Sequence, residues 1–326
     1  MATEAAYIRR LDHYSTAQLV QAADKLLAEF GSATHSDLFD ALPEAAARLE
    51  EPTREVLRPV FSPEGLFILR GLEIDDSDLG PTPAHWSSVG DAGALWDVTL
   101  LLIATLMGHP IAWEGQQDGR AVNNIVPSPG HELEQTGASS TVLLSPHTED
   151  AFHPERAHLL VLCCMRNHDR VGTTAASIRR TGLSPEDIAL LTRPILPILP
   201  DDAYAKRPDF TGEPVPVRTL WESPDGLTLR FDPAYTPLGQ ADDDHREAYA
   251  RLEAELAGVS MSVALEPGDV MVVDNDLVVH GRVPFRPRYD GTDRWLKRAL
   301  VSIPGRDSRP ESERDEDGYG QSVIKL

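Results

Sequence analysis

The most constraining stretch of the sequence runs from Thr141 to His153, where a short aliphatic segment ends in a histidine, one spacer residue and a carboxylate. In an extended chain, residues i and i+2 lie on the same face. His147 and Glu149 can therefore direct their side chains to one point. Together with a histidine from a distant strand, they would form the set of two histidines and one carboxylate that holds non-haem Fe(II) and leaves one side of the metal open.

A histidine and an acid separated by one residue form a weak signal. Four such pairs occur, and about two would be expected by chance from 11 histidines in a chain with 52 acids among 326 residues. The pairs at His35 and His245 lie in helix-like segments, where i and i+2 point apart, and His245 is expected to face solvent. Pro154 places a third pair in a turn. Only the pair at His147 follows a strand-like segment, and a hydrogen-bonded structural histidine is the alternative there.

A candidate third ligand lies much further along the chain. Residues 266–269, Glu-Pro-Gly-Asp, have the composition of a turn. A buried-strand segment follows at 270–273, and a second turn is predicted at 274–276. His280 ends the apolar residues that come next. A hairpin that carries a third ligand into the mouth of a barrel would have this order of elements.

Two arginines, Arg294 and Arg298, lie at the start of another predicted strand that extends to Ile303. An arginine binds a carboxylate through two parallel N–H bonds, which a lysine cannot do. A surface salt bridge is the alternative for Arg294. Because Arg294 follows the two histidines and the glutamate at this spacing, a site for the carboxylate of a cosubstrate is favoured.

Together these residues resemble the Fe(II)/2-oxoglutarate-dependent oxygenases of the clavaminate synthase-like group. The sequence at 116–120, 135–137, 147–154 and 284–298 is similar to the members that hydroxylate free amino acids, among them arginine β-hydroxylase of the viomycin pathway and asparagine oxygenase. The likeness extends from about residue 60 to about residue 303, and its motifs are more specific than the three metal-ligand positions alone.

The resemblance implies catalytic and cofactor-binding roles for the matching residues, with 2-oxoglutarate and O₂ as cosubstrates of a bound Fe(II). For the threonine at 173, ordinary strand propensity is the alternative. The implied metal ligands are His147, Glu149 and His280, and the implied 2-oxoglutarate-binding residues are Arg294, Arg298 and Thr173.

The resemblance also implies substrate contacts by Gln116, Asp232 and Glu149. For Gln116 the alternative is a solvated loop amide. A carboxylate at 232 that faces the site would pair with an ammonium, amide or guanidinium group. Where the arginine hydroxylase has a second acid two residues on, this chain has Ala234, which weakens the case for a guanidinium site with two carboxylates.

The implied activity couples hydroxylation of an unactivated C–H bond to decarboxylation of 2-oxoglutarate into succinate and CO₂. The expected substrate is a free L-α-amino acid with a polar or cationic side chain, such as arginine, lysine, asparagine or a derivative. Hydroxylation is expected at the β-carbon. The enzyme is expected to act in the biosynthesis of a natural product such as an antibiotic. Two alternatives remain open: a desaturase, cyclase or other metal-dependent oxygenase of the same fold that acts on an amino-acid-derived metabolite, and a non-catalytic amino-acid-binding module.

The net charge of −22, from 52 acids and 30 bases, argues against nucleic acid or an anionic membrane as a partner, because either would repel the chain. No apolar run approaches ~20 residues and no signal peptide is recognisable, so a cytoplasmic protein is expected. The adjacent Cys163 and Cys164 are expected to be buried thiols without a disulfide. The sequence leaves a monomer and a homodimer equally open.

The distribution of these patterns predicts a mainly β fold with flanking α-helices, built on a double-stranded β-helix (jelly roll, cupin-like) core. A single oxygenase domain is expected over 1–326, with a helical part at 1–60 and the jelly-roll core at 61–303. Six prolines between 194 and 216 predict a lid-like insertion near 194–220. The charged, Gly- and Ser-rich composition near the end predicts a flexible C-terminal tail at 304–326.

Overall fold

The computed structural model describes residues 7–59, 64–91, 93–201, 204, 213–306 and 308–326. Within these ranges two β-sheets pack face to face, and helices cover the outer face of the larger sheet. The helices are α1 (His13–Phe30), α2 (Ser36–Ala47), α3 (Glu51–Leu57), α4 (Asp76–Leu79), α5 (Ala94–Met107), α6 (Pro185–Leu191) and α7 (Asp243–Val259).

The strands follow the order of a double-stranded β-helix. They are β1 (Ile8–Arg10), β2 (Leu66–Arg70), β3 (His109–Trp113), β4 (Val122–Ile125), β5 (Leu144–His147), β6 (Leu159–Arg166), β7 (Thr173–Ser177), β8 (Leu220–Ser223), β9 (Gly226–Leu229), β10 (Met261–Val263), β11 (Val270–Asp274), β12 (Val278–Arg282), β13 (Trp295–Ser302) and β14 (Val323–Lys325). The larger sheet has the order β1-β2-β11-β6-β13-β3-β14, with β4 also paired to β13. The smaller sheet has the order β10-β7-β12-β5, and β8 pairs with β9. The predicted fold class is confirmed.

Strand β6 contributes to both layers of the core. Leu160 and Leu162 pack between the two sheets, whereas Val161 and Cys163 pack against the helical layer. Because both faces are covered, the strand is apolar over almost its whole length. The two cysteines are buried and free, as predicted.

Strand β13 presents different chemistry on its two faces. Leu296 and Arg298 lie on the face between the sheets. Trp295 and Lys297 lie on the other face, where the Lys297 ammonium is fully buried and donates to the Asp97 carboxylate of α5 at 2.6 Å. One strand therefore fixes the helical layer and carries polar groups into the interior of the barrel.

The expectation of a flexible tail at 304–326 is corrected by the structure. The Arg309 guanidinium lies 2.9 Å from the Asp276 carboxylate, and the Arg306 guanidinium lies 2.7 Å from Asp274. Asp274 is the buried last residue of β11, and Asp276 lies in the buried turn that leads to β12. The charges of the tail therefore pair with buried carboxylates, which is why a composition typical of a solvated segment forms packed structure here.

The expectation that His245 faces solvent is also wrong, since only 2% of this residue is exposed. His245 lies in the first turn of α7, on the same face as the buried Ala248, Tyr249 and Leu252. The acidic first turn of the helix suggested a solvated segment, but the i, i+3, i+4, i+7 stripe places this histidine in the packed face.

The predicted insertion near 194–220 lies partly outside the described residues, at 202–203 and 205–212. In its described part, Leu196 pairs with Val217 as an isolated bridge, and Tyr204 is buried. None of the helices in the described ranges combines the length and hydrophobicity needed to cross a bilayer.

Candidate active site

Two neighbouring strands of the smaller sheet bring two histidines together. Strands β5 and β12 pair in an antiparallel register that sets His147 directly opposite His280. The centroids of the two imidazole rings are 4.5 Å apart. The pairing explains how residues that are far apart in sequence come to share one face of the sheet.

The third candidate ligand, Glu149, is held in place through its backbone. The Asn275 side chain accepts the N–H of Glu149 at 2.7 Å and donates to the carbonyl oxygen of Glu149 at 2.9 Å. It also donates to the carbonyl oxygen of Ala157 at 3.1 Å. Asn275 is fully buried in the turn between β11 and β12. This turn therefore joins the segment that carries Glu149 to the hairpin that carries His280.

The donor atoms of His147, Glu149 and His280 all lie within 4.8 Å of one another. The Glu149 carboxylate is 3.1 Å from Nε2 of His280. Nδ1 of His147 lies 2.8 Å from the carbonyl oxygen of Ser145, so it donates its proton there and leaves Nε2 for a metal. Two imidazole nitrogens and one carboxylate oxygen form the donor set of non-haem Fe(II) sites with open positions, and the side chains fit that ion.

Electrostatics favour the protonation states that bind a metal. Burial alone would raise the pKa of Glu149, but the Arg298 guanidinium and the two imidazoles hold this pKa well below its usual range. Burial, followed by the nearby His147 ring, lowers the pKa of His280. An ionised carboxylate and a neutral imidazole are the forms that coordinate.

The three side chains line a cavity of about 80 Å³ that also contains a buried arginine. Arg294 donates to the hydroxyl oxygen of Thr173 at 2.8 Å, across β13 and β7. Burial lowers the pKa of Arg294 to about 10, so this group remains a cation at neutral pH. The structure therefore brings Arg294 and Thr173 together beside the candidate metal ligands, as the sequence predicted.

Arg298, which was predicted to assist Arg294, lines the same cavity but has different contacts. Its guanidinium contacts the Glu149 carboxylate and the Gln116 amide oxygen, and it donates to Asn123 at 2.7 Å. Four residues along a strand span about 13 Å, and the two guanidiniums have different hydrogen-bond partners here. Arg298 and Gln116 instead form a second polar group next to Glu149.

A second cavity, of about 350 Å³, adjoins the first one. Gln116 lines only the second cavity, while Arg298 and Asp201 line both. Thr136 and Gly137 also belong to the shared wall. The amide, the guanidinium and the Asp201 carboxylate therefore surround space that is continuous with the candidate metal site.

Asp232 is not among the described residues that line either cavity. Its carboxylate accepts the backbone N–H of Ala234 at 3.1 Å. Burial raises the pKa of Asp232 to about 6, and the neighbouring His147 opposes that rise. The structure thus places this predicted substrate contact near the metal-ligand histidine, but outside the described lining of the two cavities.

The sequence analysis did not identify Asn275, Arg282 or Asp201. Arg282 lines the smaller cavity and follows His280 by two residues on the same strand, so the rule that paired His147 with Glu149 could have found it. The sequence did not indicate the role of Asn275, because an asparagine between two aspartates is typical of an ordinary turn.

A larger cavity, of about 520 Å³, lies beneath the C-terminal segment and contains none of the three candidate ligands. The Glu313 carboxylate lies 2.7 Å from Arg156, and that of Glu316 lies 2.9 Å from Arg230. Its buried charges are therefore paired within the protein, and it is not the candidate active site.

Residues 25–300 match the family described as taurine catabolism dioxygenase TauD, TfdA. Enduracididine β-hydroxylase of Streptomyces hygroscopicus is 38% identical over 290 residues, which cover 81% of this chain and 85% of that protein. L-ornithine/L-arginine 3-hydroxylase of Catenulispora acidiphila is 32% identical, over 76% of this chain and 79% of that protein.

Solved structures of the same kind have closely similar folds. Asparagine oxygenase in complex with Fe(II), 2S,3S-3-hydroxyasparagine and succinate superposes with a TM-score of 0.83 at 32% identity, over 91% of this chain and 93% of that chain. The non-heme iron oxygenase OrfP in complex with Fe, succinate and (3S)-hydroxy-L-Arg gives a TM-score of 0.81 at 36% identity, over 90% and 94%. The resemblance inferred from the sequence is confirmed, and this chain belongs to the TauD/TfdA dioxygenase family.

Proposed function

We propose that this chain is an Fe(II)- and 2-oxoglutarate-dependent hydroxylase that acts at the β-carbon of a free L-α-amino acid with a polar or cationic side chain. The observation that carries the proposal is the convergence of His147, Glu149 and His280 next to the buried Arg294, a cation that can bind an anion. The similarity to hydroxylases of enduracididine, of ornithine and arginine, and of asparagine supports this substrate class.

The metal would be held by Nε2 of His147, Nε2 of His280 and the Glu149 carboxylate. Fe(II) bound there would supply O₂ activation coupled to the oxidative decarboxylation of 2-oxoglutarate into succinate and CO₂. The protein fixes the ligands before the metal arrives, because Ser145 orients the His147 ring and Asn275 holds the backbone of Glu149.

Arg294 and Thr173 would bind the far carboxylate of 2-oxoglutarate. A buried guanidinium whose hydrogen-bond partner is a neutral hydroxyl carries a desolvation cost that a bound anion offsets. The hydroxyl adds a second hydrogen bond to the same carboxylate. A group with one negative charge and two acceptor oxygens is the ligand that this pair best accommodates.

Arg298 and Gln116 would bind the backbone groups of the amino-acid substrate. The guanidinium suits an α-carboxylate, and the Gln116 amide oxygen, together with Glu149, suits an α-ammonium group. This places the Cα and Cβ atoms of a substrate beside the metal ligands. Asp201, which lines both cavities, and Asp232, which lies near His147, are carboxylates that would bind a cationic or amide side chain.

The first test follows metal, cosubstrate and product in sequence. Protein loaded with Fe(II) under anaerobic conditions should develop a visible charge-transfer band on addition of 2-oxoglutarate, and a chelator should abolish it. On exposure to O₂, one or more of the proteinogenic amino acids, ornithine or citrulline should produce succinate and a hydroxylated amino acid. His280→Ala should lose both signals, while the exposed His168→Ala should keep them.

Absence of the band in the wild-type protein would contradict the proposal. A product two hydrogens lighter than the substrate would replace hydroxylation with desaturation.

The second test concerns how Glu149 is held. Asn275→Ala should weaken metal binding by about 10- to 100-fold, because loss of a group that supports a ligand typically costs that much affinity. Isothermal titration with Mn(II) or Zn(II) measures the metal Kd of each variant. Asn167→Ala is the matched control, since Asn167 is buried and binds backbone groups of Val171 and Leu265 away from the triad. Equal metal affinities in the two variants would show that Asn275 does not support the ligand.

The third test separates the two arginines. Arg294→Met should raise the 2-oxoglutarate Kd by about 30-fold or more, because truncating one partner of a buried charge pair costs at least ~2 kcal/mol. Arg298→Met should leave that Kd within about threefold and raise the KM for the amino acid instead. A loss of 2-oxoglutarate binding in Arg298→Met with normal binding in Arg294→Met would reverse the assignment.

A further inference from the structure

Arg282 is a buried cation of the metal cavity that the roles above do not use. It ends β12 two residues after His280 and is 3% exposed. Its side chain lines the same cavity as Arg294. Because alternate residues of a strand share a face, Arg282 projects from the face of the sheet that presents the metal ligand.

The hydrogen bonds of Arg282 all go to neutral groups. One Nη group donates to the carbonyl oxygens of Ser140 at 2.8 Å and Val283 at 3.3 Å. The other donates to the Ser139 hydroxyl at 3.0 Å and the Val142 carbonyl oxygen at 3.3 Å. These bonds fix the segment that leads into β5, but none of them compensates the positive charge.

The buried arginines of the described chain are of two kinds. Arg156, Arg166 and Arg230 each have a carboxylate partner within 3 Å. Arg282 and Arg294 have no ion pair with a carboxylate among the described residues. A buried cation without a counter-charge is costly, and two of them in one cavity repel each other. Two such cations at one cavity provide a strong preference for an anion.

We infer that Arg282 is a positioning residue for the cosubstrate, and that it combines with Arg294 to make this end of the cavity select keto acids with a second, remote carboxylate. Both its Nη groups are fully used by the protein, so Arg282 acts through its charge and through the segment that it holds. The inference rests on the proposed function, since it assigns the second carboxylate to 2-oxoglutarate.

The test compares two keto acids that differ only in the far carboxylate. Isothermal titration of the Zn(II)-loaded protein gives Kd values for 2-oxoglutarate and for 2-oxopentanoate without any turnover. Arg282→Gln should raise the 2-oxoglutarate Kd by about tenfold, as expected for loss of one buried charge from the wall of the same cavity, and leave the 2-oxopentanoate Kd within about twofold. Arg286→Gln, which removes an exposed arginine four residues further on, should change neither value.

Arg282→Lys keeps the charge and loses most of the hydrogen bonds to the 139–142 segment. This variant should retain the preference for 2-oxoglutarate over 2-oxopentanoate within about threefold. It tests the inference even if the glutamine variant does not fold. Equal weakening of both keto acids in Arg282→Gln, an unchanged 2-oxoglutarate Kd, or loss of the preference in Arg282→Lys would overturn the inference. Failure of the wild-type protein to bind either keto acid would instead count against the proposed function.

Discussion

The antiparallel pairing of β5 with β12 is the interaction on which the candidate site depends. It sets His147 opposite His280 at a separation that one metal ion can bridge. Glu149 lies beyond the end of β5, outside the strand pairing. The Asn275 side chain forms two hydrogen bonds with its backbone instead. Ligands carried by strands and fixed by buried hydrogen bonds have little freedom to lose when a metal binds.

Charge in the interior is arranged in a different way from charge on the surface. The chain carries a net charge of −22, yet the described wall of the metal cavity includes Arg282, Arg294 and Arg298. Arg298 is neutralised by Glu149, while the other two have no carboxylate partner in the part of the chain that the structure describes. Such an interior attracts dianionic cosubstrates locally, although the surface as a whole repels anions.

Much of the fold could be predicted because it follows from local periodicity. The period-two rule identified His147 with Glu149, and turn composition located the hairpin before His280. Composition was misleading where charges pair over long distances. The charged composition near the end of the chain predicts a flexible tail, because the partners Asp274 and Asp276 lie 32 and 33 residues before Arg306 and Arg309. No local sequence pattern identifies such a distant acidic partner. The role of Asn275, which binds the backbone of another segment, could not be predicted for the same reason.

The contacts of Arg294 and Arg298 were equally out of reach of the sequence. The sequence placed both arginines near the start of one strand, but it did not indicate which neighbours each one has. The structure assigns them to different neighbours, Thr173 for one and Glu149 with Gln116 for the other. The proposed division of the cavity into a cosubstrate end and a substrate end rests on these different contacts.

An anaerobic crystal structure with Fe(II) and 2-oxoglutarate would test the assignment of the site directly. One iron should be bound by His147, Glu149 and His280, with the far carboxylate of 2-oxoglutarate on Arg294 and Thr173. Iron bound elsewhere, or 2-oxoglutarate with its far carboxylate on Arg298, would contradict the assignment.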